Sequence, residues 1–159
     1  MRLAFCKLNG LSGHDAGRNL LAQLYREETG QDLPPISITP MGKPFFPDNK
    51  WHFSISHTQS HAFCVLSEHN VGLDAEELTR TISPKLADKI LSPGEMAQYE
   101  AAPDKNKTLL TFWVLKEADA KRTGQGLRLY PNHTNFTLPH PGIREVDGCL
   151  VAILEEITE

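Results

Sequence analysis

Apolar and polar positions recur with two different periods along this chain, and the change of period organises it. Residues 2–8 (RLAFCKL) read as a strand, and residues 51–56 (WHFSIS) alternate every second position, as a half-buried strand does. Residues 61–67 (HAFCVLS) are apolar almost throughout, which predicts a strand covered on both faces. Residues 70–77 (NVGLDAEE) predict a further strand after a turn at 68–70, and 36–39 (ISIT) a short one inside a Pro- and Gly-rich stretch. Elsewhere a helical period takes over. Leu20, Leu21 and Leu24 share one face of a helix predicted over 15–29 and closed by Gly30. Ser83 and Pro84 open a helix to about residue 91. Ser92, Pro93 and Glu95 open another to about residue 101, at the spacing of a capping box. The strongest helix is predicted over 108–123, with Leu109, Phe112, Trp113 and Leu115 on its apolar side and Gly124 and Gly126 ending it. Strands at 134–138, 143–147 and 149–156 follow, the last two joined by an Asp147–Gly148 turn. The class is α+β, with a boundary near residues 78–83 between a strand-rich half and a helix-then-strand half.

Length and charge narrow the function. The 159 residues suffice for one compact domain or two small subdomains. Sixteen basic against 20 acidic residues give a net charge of −4, which weighs against a nucleic-acid binder but permits a local basic pocket for a phosphorylated ligand. Cys6, Cys64 and Cys149 are odd in number and far apart, with no CxxC pair or Cys/His cluster of the zinc type. They predict reduced core thiols in a cytoplasmic protein. The apolar run at the start is too short for a signal peptide, and no run approaches ~18 apolar residues, so no membrane span is expected.

Two acidic segments carry the candidate chemistry. In a strand, Asp74 and Glu76 point the same way and could reach one ion, and Gly72 before them lets something bulky approach the backbone. Glu117, on a helix, could supply a third carboxylate, and three oxygen ligands with water and phosphate suit magnesium. The ordinary alternatives are a solvated strand end and an exposed helix pair, Glu117 with Lys121, worth ~0.3–0.5 kcal/mol. Yet Trp113, Glu117 and Lys121 share one side of the helix, a mixture more typical of a site wall. Phosphate ligands could come from Lys43 in the GKP turn, from Ser56 and His57 at a strand end, and from Arg18 near a helix start. Taken singly, these are equally a loop lysine, strand-end residues and a solvent arginine. A serine hydrolase built on Ser56, His57 and Asp74 is disfavoured, because GxSxG is missing and adjacent strand residues face opposite sides. P-loop and GxGxxG motifs are missing too.

Taken in order over about residues 14–128, GKPFF, HFSISH, VGLDAEE and FWVLKEADAK resemble the motifs of the Sfp-type 4′-phosphopantetheinyl transferases. The resemblance implies an α+β fold of two similar subdomains related by a pseudo-two-fold, each a small antiparallel sheet packed with helices. It divides the chain at 1–77 and 78–159, with coenzyme A in the cleft between. It implies magnesium-dependent transfer of phosphopantetheine from coenzyme A to a serine of an apo acyl or peptidyl carrier protein, an activity of the holo-acyl-carrier-protein synthase type. Asp74, Glu76 and Glu117 would hold magnesium, with Glu117 also the base for the serine. Lys121 would serve at the attacked phosphorus. Lys43, Ser56, His57 and Lys116 would bind coenzyme A phosphates, and Arg18 and Asn19 its adenosine end. Glu95 matches a family acid near the metal. The chain departs from the pattern at Ser54 and Thr58, where the family has asparagine and serine, and relatives carry a few tens of residues more before the Arg18 region. A monomer is expected, with no nucleic-acid or membrane partner. Two other readings stay open: a hydrolase of the coenzyme A pyrophosphate, and a non-catalytic module that binds carrier protein or nucleotide.

Overall fold

Two three-stranded antiparallel sheets, each backed by a long helix, form the frame of the computed structural model, which describes residues 1–125 and 134–157. The first sheet joins β1 (Arg2–Lys7), β5 (His61–Ser67) and β4 (His52–His57), with β5 in the middle. The second joins β6 (Val71–Glu77), β8 (Cys149–Glu155) and β7 (Ile143–Val146), with β8 in the middle. Each sheet therefore has the order first, last, middle, and each takes a long helix between its first strand and its closing hairpin. A two-residue ladder, β2 (Ser37–Ile38) with β3 (Pro44–Phe45), stands apart.

The helices form where caps and apolar spacing agree. Helix α1 (Gly13–Thr29) begins two residues before the predicted start, because the Ser12 hydroxyl accepts from the Asp15 N–H, and it ends on left-handed Gly30. After a 3-10 turn at Pro84–Leu86 comes one helical turn, α2 (Ala87–Ile90). Helix α3 (Pro93–Ala101) carries the predicted capping box in full: Ser92 and Glu95 satisfy each other's backbone N–H. Helix α4 (Lys105–Thr123) starts three residues before the predicted start because Asp104 accepts from the Lys107 N–H as its cap. Residues 134–137 have no strand partner, which corrects the strand predicted at 134–138. Gly126 lies outside the described residues.

Burial follows the strand pattern. Leu20, Leu21, Leu24 and Tyr25 of α1 pack on one face of the first sheet, against Phe53, Ala62, Cys64 and Leu66. The opposite face of β5, through Phe63 and Val65, packs on Leu73, Ala75, Val151 and Ile153 of the second sheet. Leu110, Val114, Leu115 and Ala118 of α4 cover the other side of β8 at Leu150 and Ala152. Because β5 is buried on both faces, it reads as a continuous apolar run. The ladder pairs β6 with β8, so the strand that carries Asp74 shares a sheet with the second half of the chain, although the division at 77/78 groups it with the first.

Candidate active site

Helix α4 lies directly on β6 because Gly72 has no side chain. A Cβ there would stand 1.9 Å from the Ala118 carbonyl oxygen and 2.6 Å from the Arg122 nitrogen. The bulky approach expected at Gly72 is thus the backbone of α4 itself. The contact brings Glu117 and Lys121 over the side of β6 that holds Asp74 and Glu76. On the other flank, Ser54 and Ser56 of β4 reach the free edge of β6. Their hydroxyls accept from the N–H groups of Leu73 at 3.0 Å and Ala75 at 3.2 Å.

Asp74 is the buried centre of this arrangement. Its Oδ1 accepts from Lys121 Nζ at 3.0 Å and from the Ser56 hydroxyl at 3.2 Å. Its Oδ2 is buried and has no hydrogen-bond partner among the described residues. Burial pushes the Asp74 carboxyl above the ordinary carboxylate range, against the pull of Lys121 and Ser56. Glu76 is raised by burial too, with the Arg80 guanidinium opposing; Arg80 forms an ion pair with it. Glu117 is raised by burial and next by the charge of Asp74, with Glu76 adding to the push. Glu117 therefore senses both other carboxylates, and Glu76 senses Asp74, across the strand–helix contact. Their ligand atoms do not all close to within 4.8 Å of one another. A buried acceptor without a donor, beside two further carboxylates, is an environment that a hard cation relieves, and an all-oxygen donor set suits magnesium.

A cleft of about 280 Å³ opens beside this centre, and Lys43, Ser54, Ile55, Glu117 and Lys121 contribute to its wall. Residues from the GKP turn, the HFSISH strand and the α4 segment thus meet in one hollow. His57 lies instead in a neighbouring groove of about 650 Å³ with Glu76 and Arg80. Its ring sits against Gly13, where a Cβ would come within 2.2 Å of the ring Cγ. Lys43 donates to Asn70 Oδ1 at 2.7 Å and to the Arg122 carbonyl at 2.5 Å, so its ammonium also meets the C-terminal end of α4. Burial, and after it the charge of Arg122, pulls the Lys43 amine below its ordinary value.

Sequence and family now agree. Residues 70–150 match the profile described as the 4′-phosphopantetheinyl transferase superfamily. The chain belongs to this superfamily. It is 33% identical over 88 residues to the 4′-phosphopantetheinyl transferase gsp of Aneurinibacillus migulanus, covering 54% of this chain and 36% of that protein. It is 30% identical over 122 residues to the 4′-phosphopantetheinyl transferase HetI of Nostoc sp. strain PCC 7120, covering 70% of this chain and 52% of that protein. The chain thus spans between about a third and about half the length of these curated relatives.

Arg18, Asn19 and Lys116 fall outside the two hollows, as do Ser56 and Asp74, which bond each other between β4 and β6. Arg18 and Asn19 lie on α1 and line neither. Lys116 faces away from Glu117 and is fully buried. Its ammonium pairs with the equally buried Glu95 at 2.7 Å and donates to the Thr134 carbonyl and hydroxyl at 3.1 and 3.0 Å. A side chain enclosed in this way cannot meet a ligand in the cleft, which corrects the placement of Lys116 among the coenzyme A ligands. The Glu95 carboxylate also accepts from the N–H groups of Ser92 and Phe136, so it joins α3, α4 and the segment after residue 134. Ser56 is present but engaged, by Asp74 and the Ala75 N–H. Sequence reasoning missed Arg80 as the Glu76 partner; the spacing of four residues was visible, but nothing fixed the path of the chain after β6.

Proposed function

We propose that this chain transfers 4′-phosphopantetheine from coenzyme A to a serine of an apo carrier protein, acyl or peptidyl, with magnesium at Asp74, Glu76 and Glu117. The observation that carries the reading is the meeting of Lys43, Ser54, Glu117 and Lys121 in one cleft beside the unpartnered oxygen of Asp74. When bound, magnesium supplies charge neutralisation at the pyrophosphate. Glu117 accepts the proton of the carrier serine; its carboxyl, raised by burial and by Asp74, is moved toward the range where a base works near neutral pH. Lys121 and Lys43 bring ammonium groups to the phosphate oxygens, and His57 adds a donor from the adjoining groove. Alignment and charge, not a covalent intermediate, do the chemistry. Arg18 and Asn19, outside both hollows, take the adenosine end only if coenzyme A extends over α1. The halves 1–77 and 78–159 act as the two walls of the site, and a single chain supplies both, so we infer a monomer. No described helix is long and apolar enough to cross a membrane.

The test is to incubate the protein with magnesium, coenzyme A and an apo carrier protein, then to weigh the carrier. A gain of one phosphopantetheine is expected. Free phosphopantetheine without a heavier carrier would instead indicate hydrolysis of coenzyme A, and no reaction a binding module.

A further inference from the structure

On the opposite face of β6 from Asp74, a second constellation closes one end of the seam between the sheets. His61 stands at the start of β5, Glu77 at the end of β6 and Cys149 at the start of β8. One ligand atom from each lies within 4.8 Å of the other two. The Cys149 sulfur is 3.9 Å from His61 Nδ1 and 3.8 Å from Glu77 Oε2. The other ring nitrogen of the histidine, Nε2, is 2.6 Å from Asp147 Oδ2. We propose that His61, Glu77 and Cys149 form a second metal site, for a borderline-soft divalent cation of the zinc class, with Asp147 orienting the histidine.

Four features of the geometry carry this. An imidazole, a thiol and a carboxylate are the donor types that zinc accepts, whereas magnesium selects oxygen. A carboxylate on the far nitrogen of a histidine is the usual outer partner of a metal-bound imidazole, because it fixes the tautomer that leaves the near nitrogen's lone pair toward the ion. The network is also short of hydrogens. Ser60 Oγ lies 2.6 Å from His61 Nδ1 and also bonds the Glu77 carboxylate, which accepts from the Ser60 N–H and the Cys149 thiol as well; with the imidazole proton on Nε2, the one hydroxyl hydrogen cannot serve both acceptors. A cation removes that conflict. Finally, Glu77 lines the groove that holds His57 and Arg80, which gives an ion a path from solvent.

The same residues in the order Cys149, His61, Asp147 resemble a nucleophilic triad, but Cys149 is wholly enclosed and no substrate carbon can reach its sulfur. Metal binding needs only that the thiol lose its proton to solvent as the sulfur–metal bond forms. The ion would tie β5 of one sheet to β6 and β8 of the other, so its effect is on the seam rather than on transfer.

Cobalt(II) reports the site directly, because thiolate ligation gives a near-ultraviolet charge-transfer absorption that the all-oxygen centre at Asp74 cannot produce. The reduced, metal-stripped protein is titrated with cobalt(II) in constant excess magnesium. We expect the absorption to saturate at one cobalt per chain, to be bleached by zinc and to be lost in Cys149→Ser. Asp147→Asn preserves the turn, where asparagine before glycine is favoured, and should weaken cobalt binding about 10–100-fold with an unchanged far-ultraviolet spectrum. No thiolate absorption would mean that a proton on His61, not a metal, completes the network, and the proposal fails. Absorption that survives in Cys149→Ser would trace to Cys6 or Cys64 and overturns it equally. Full cobalt affinity in Asp147→Asn overturns the orienting role.

Discussion

Asp74 holds its two carboxylate oxygens in unlike surroundings, one paired with Lys121 and Ser56 and the other buried without a donor among the described residues. In the proposed reaction Asp74 would anchor the acidic centre and Glu117 would move the proton. Glu117→Gln removes the proposed base and one negative charge while keeping the shape. Carrier modification should fall by about 10²–10⁴-fold, and the circular dichroism should not change. Near-normal turnover would falsify the assigned role. The same carboxylates should make the metal-free protein sensitive to pH. Asp74, Glu76 and Glu117 all titrate above their ordinary values, burial being the leading cause. The fold then holds their protons more tightly than the unfolded chain does, so they add stability at low pH that is lost as pH rises from about 4 through the raised values. In chelator, thermal melts should show this decline, less steeply in Glu117→Gln, and magnesium should reverse it at neutral pH. Equal slopes for the two proteins would remove Glu117 from the coupled set.

At the scale of elements, two contacts place α4. The first is Gly72, where the helix backbone occupies the space of a side chain. Gly72→Ala forces α4 away from β6, at about 1–3 kcal/mol or more. Because Glu117 and Lys121 ride on that helix, transfer should drop further than the loss of stability explains, measured at a temperature where the variant stays folded. Wild-type transfer would show that the close approach does not set the site. The second contact is the buried Lys116–Glu95 pair. Lys116→Met leaves a buried carboxylate uncompensated and should cost about 3–5 kcal/mol in denaturant unfolding. Adding Glu95→Gln, whose amide oxygen can still accept from the Ser92 N–H, removes the uncompensated charge and should recover part of that loss. Additive losses instead would mean that the pair does not act as a unit.

Across the whole molecule, the sheets meet through the apolar packing of β5 on β6 and β8 and, along the edge of β6, through side chain-to-backbone bonds rather than a shared ladder. Ser54 and Ser56 occupy the edge of β6 that would otherwise be bare. Ser56→Ala leaves the Ala75 N–H without its partner and removes one donor to Asp74. A loss of about 1–3 kcal/mol is expected, read from chemical unfolding. A neutral substitution would show that water replaces the hydroxyl and that the seam is looser than its distances indicate.

Local pattern was enough to determine the elements themselves. Alternation, capping residues and terminal glycines found seven of the eight strands among the described residues, and the long helices, because these signals act between residues close in the chain. Ordered motifs were enough to bring out Asp74, Glu76, Glu117 and Lys121 as a set. Direction in space was another matter. Lys116 and Glu117 are neighbours in sequence and both charged, yet one is enclosed with Glu95 and the other lines the cleft. Helix phase relative to a sheet decides this, and the phase is fixed by the contact at Gly72 rather than by the helix. The same holds for His61, Glu77 and Cys149. Their spacing carries no motif, and only the pairing of β6 with β8 and the packing of β5 across them brings a histidine, a carboxylate and a thiol together.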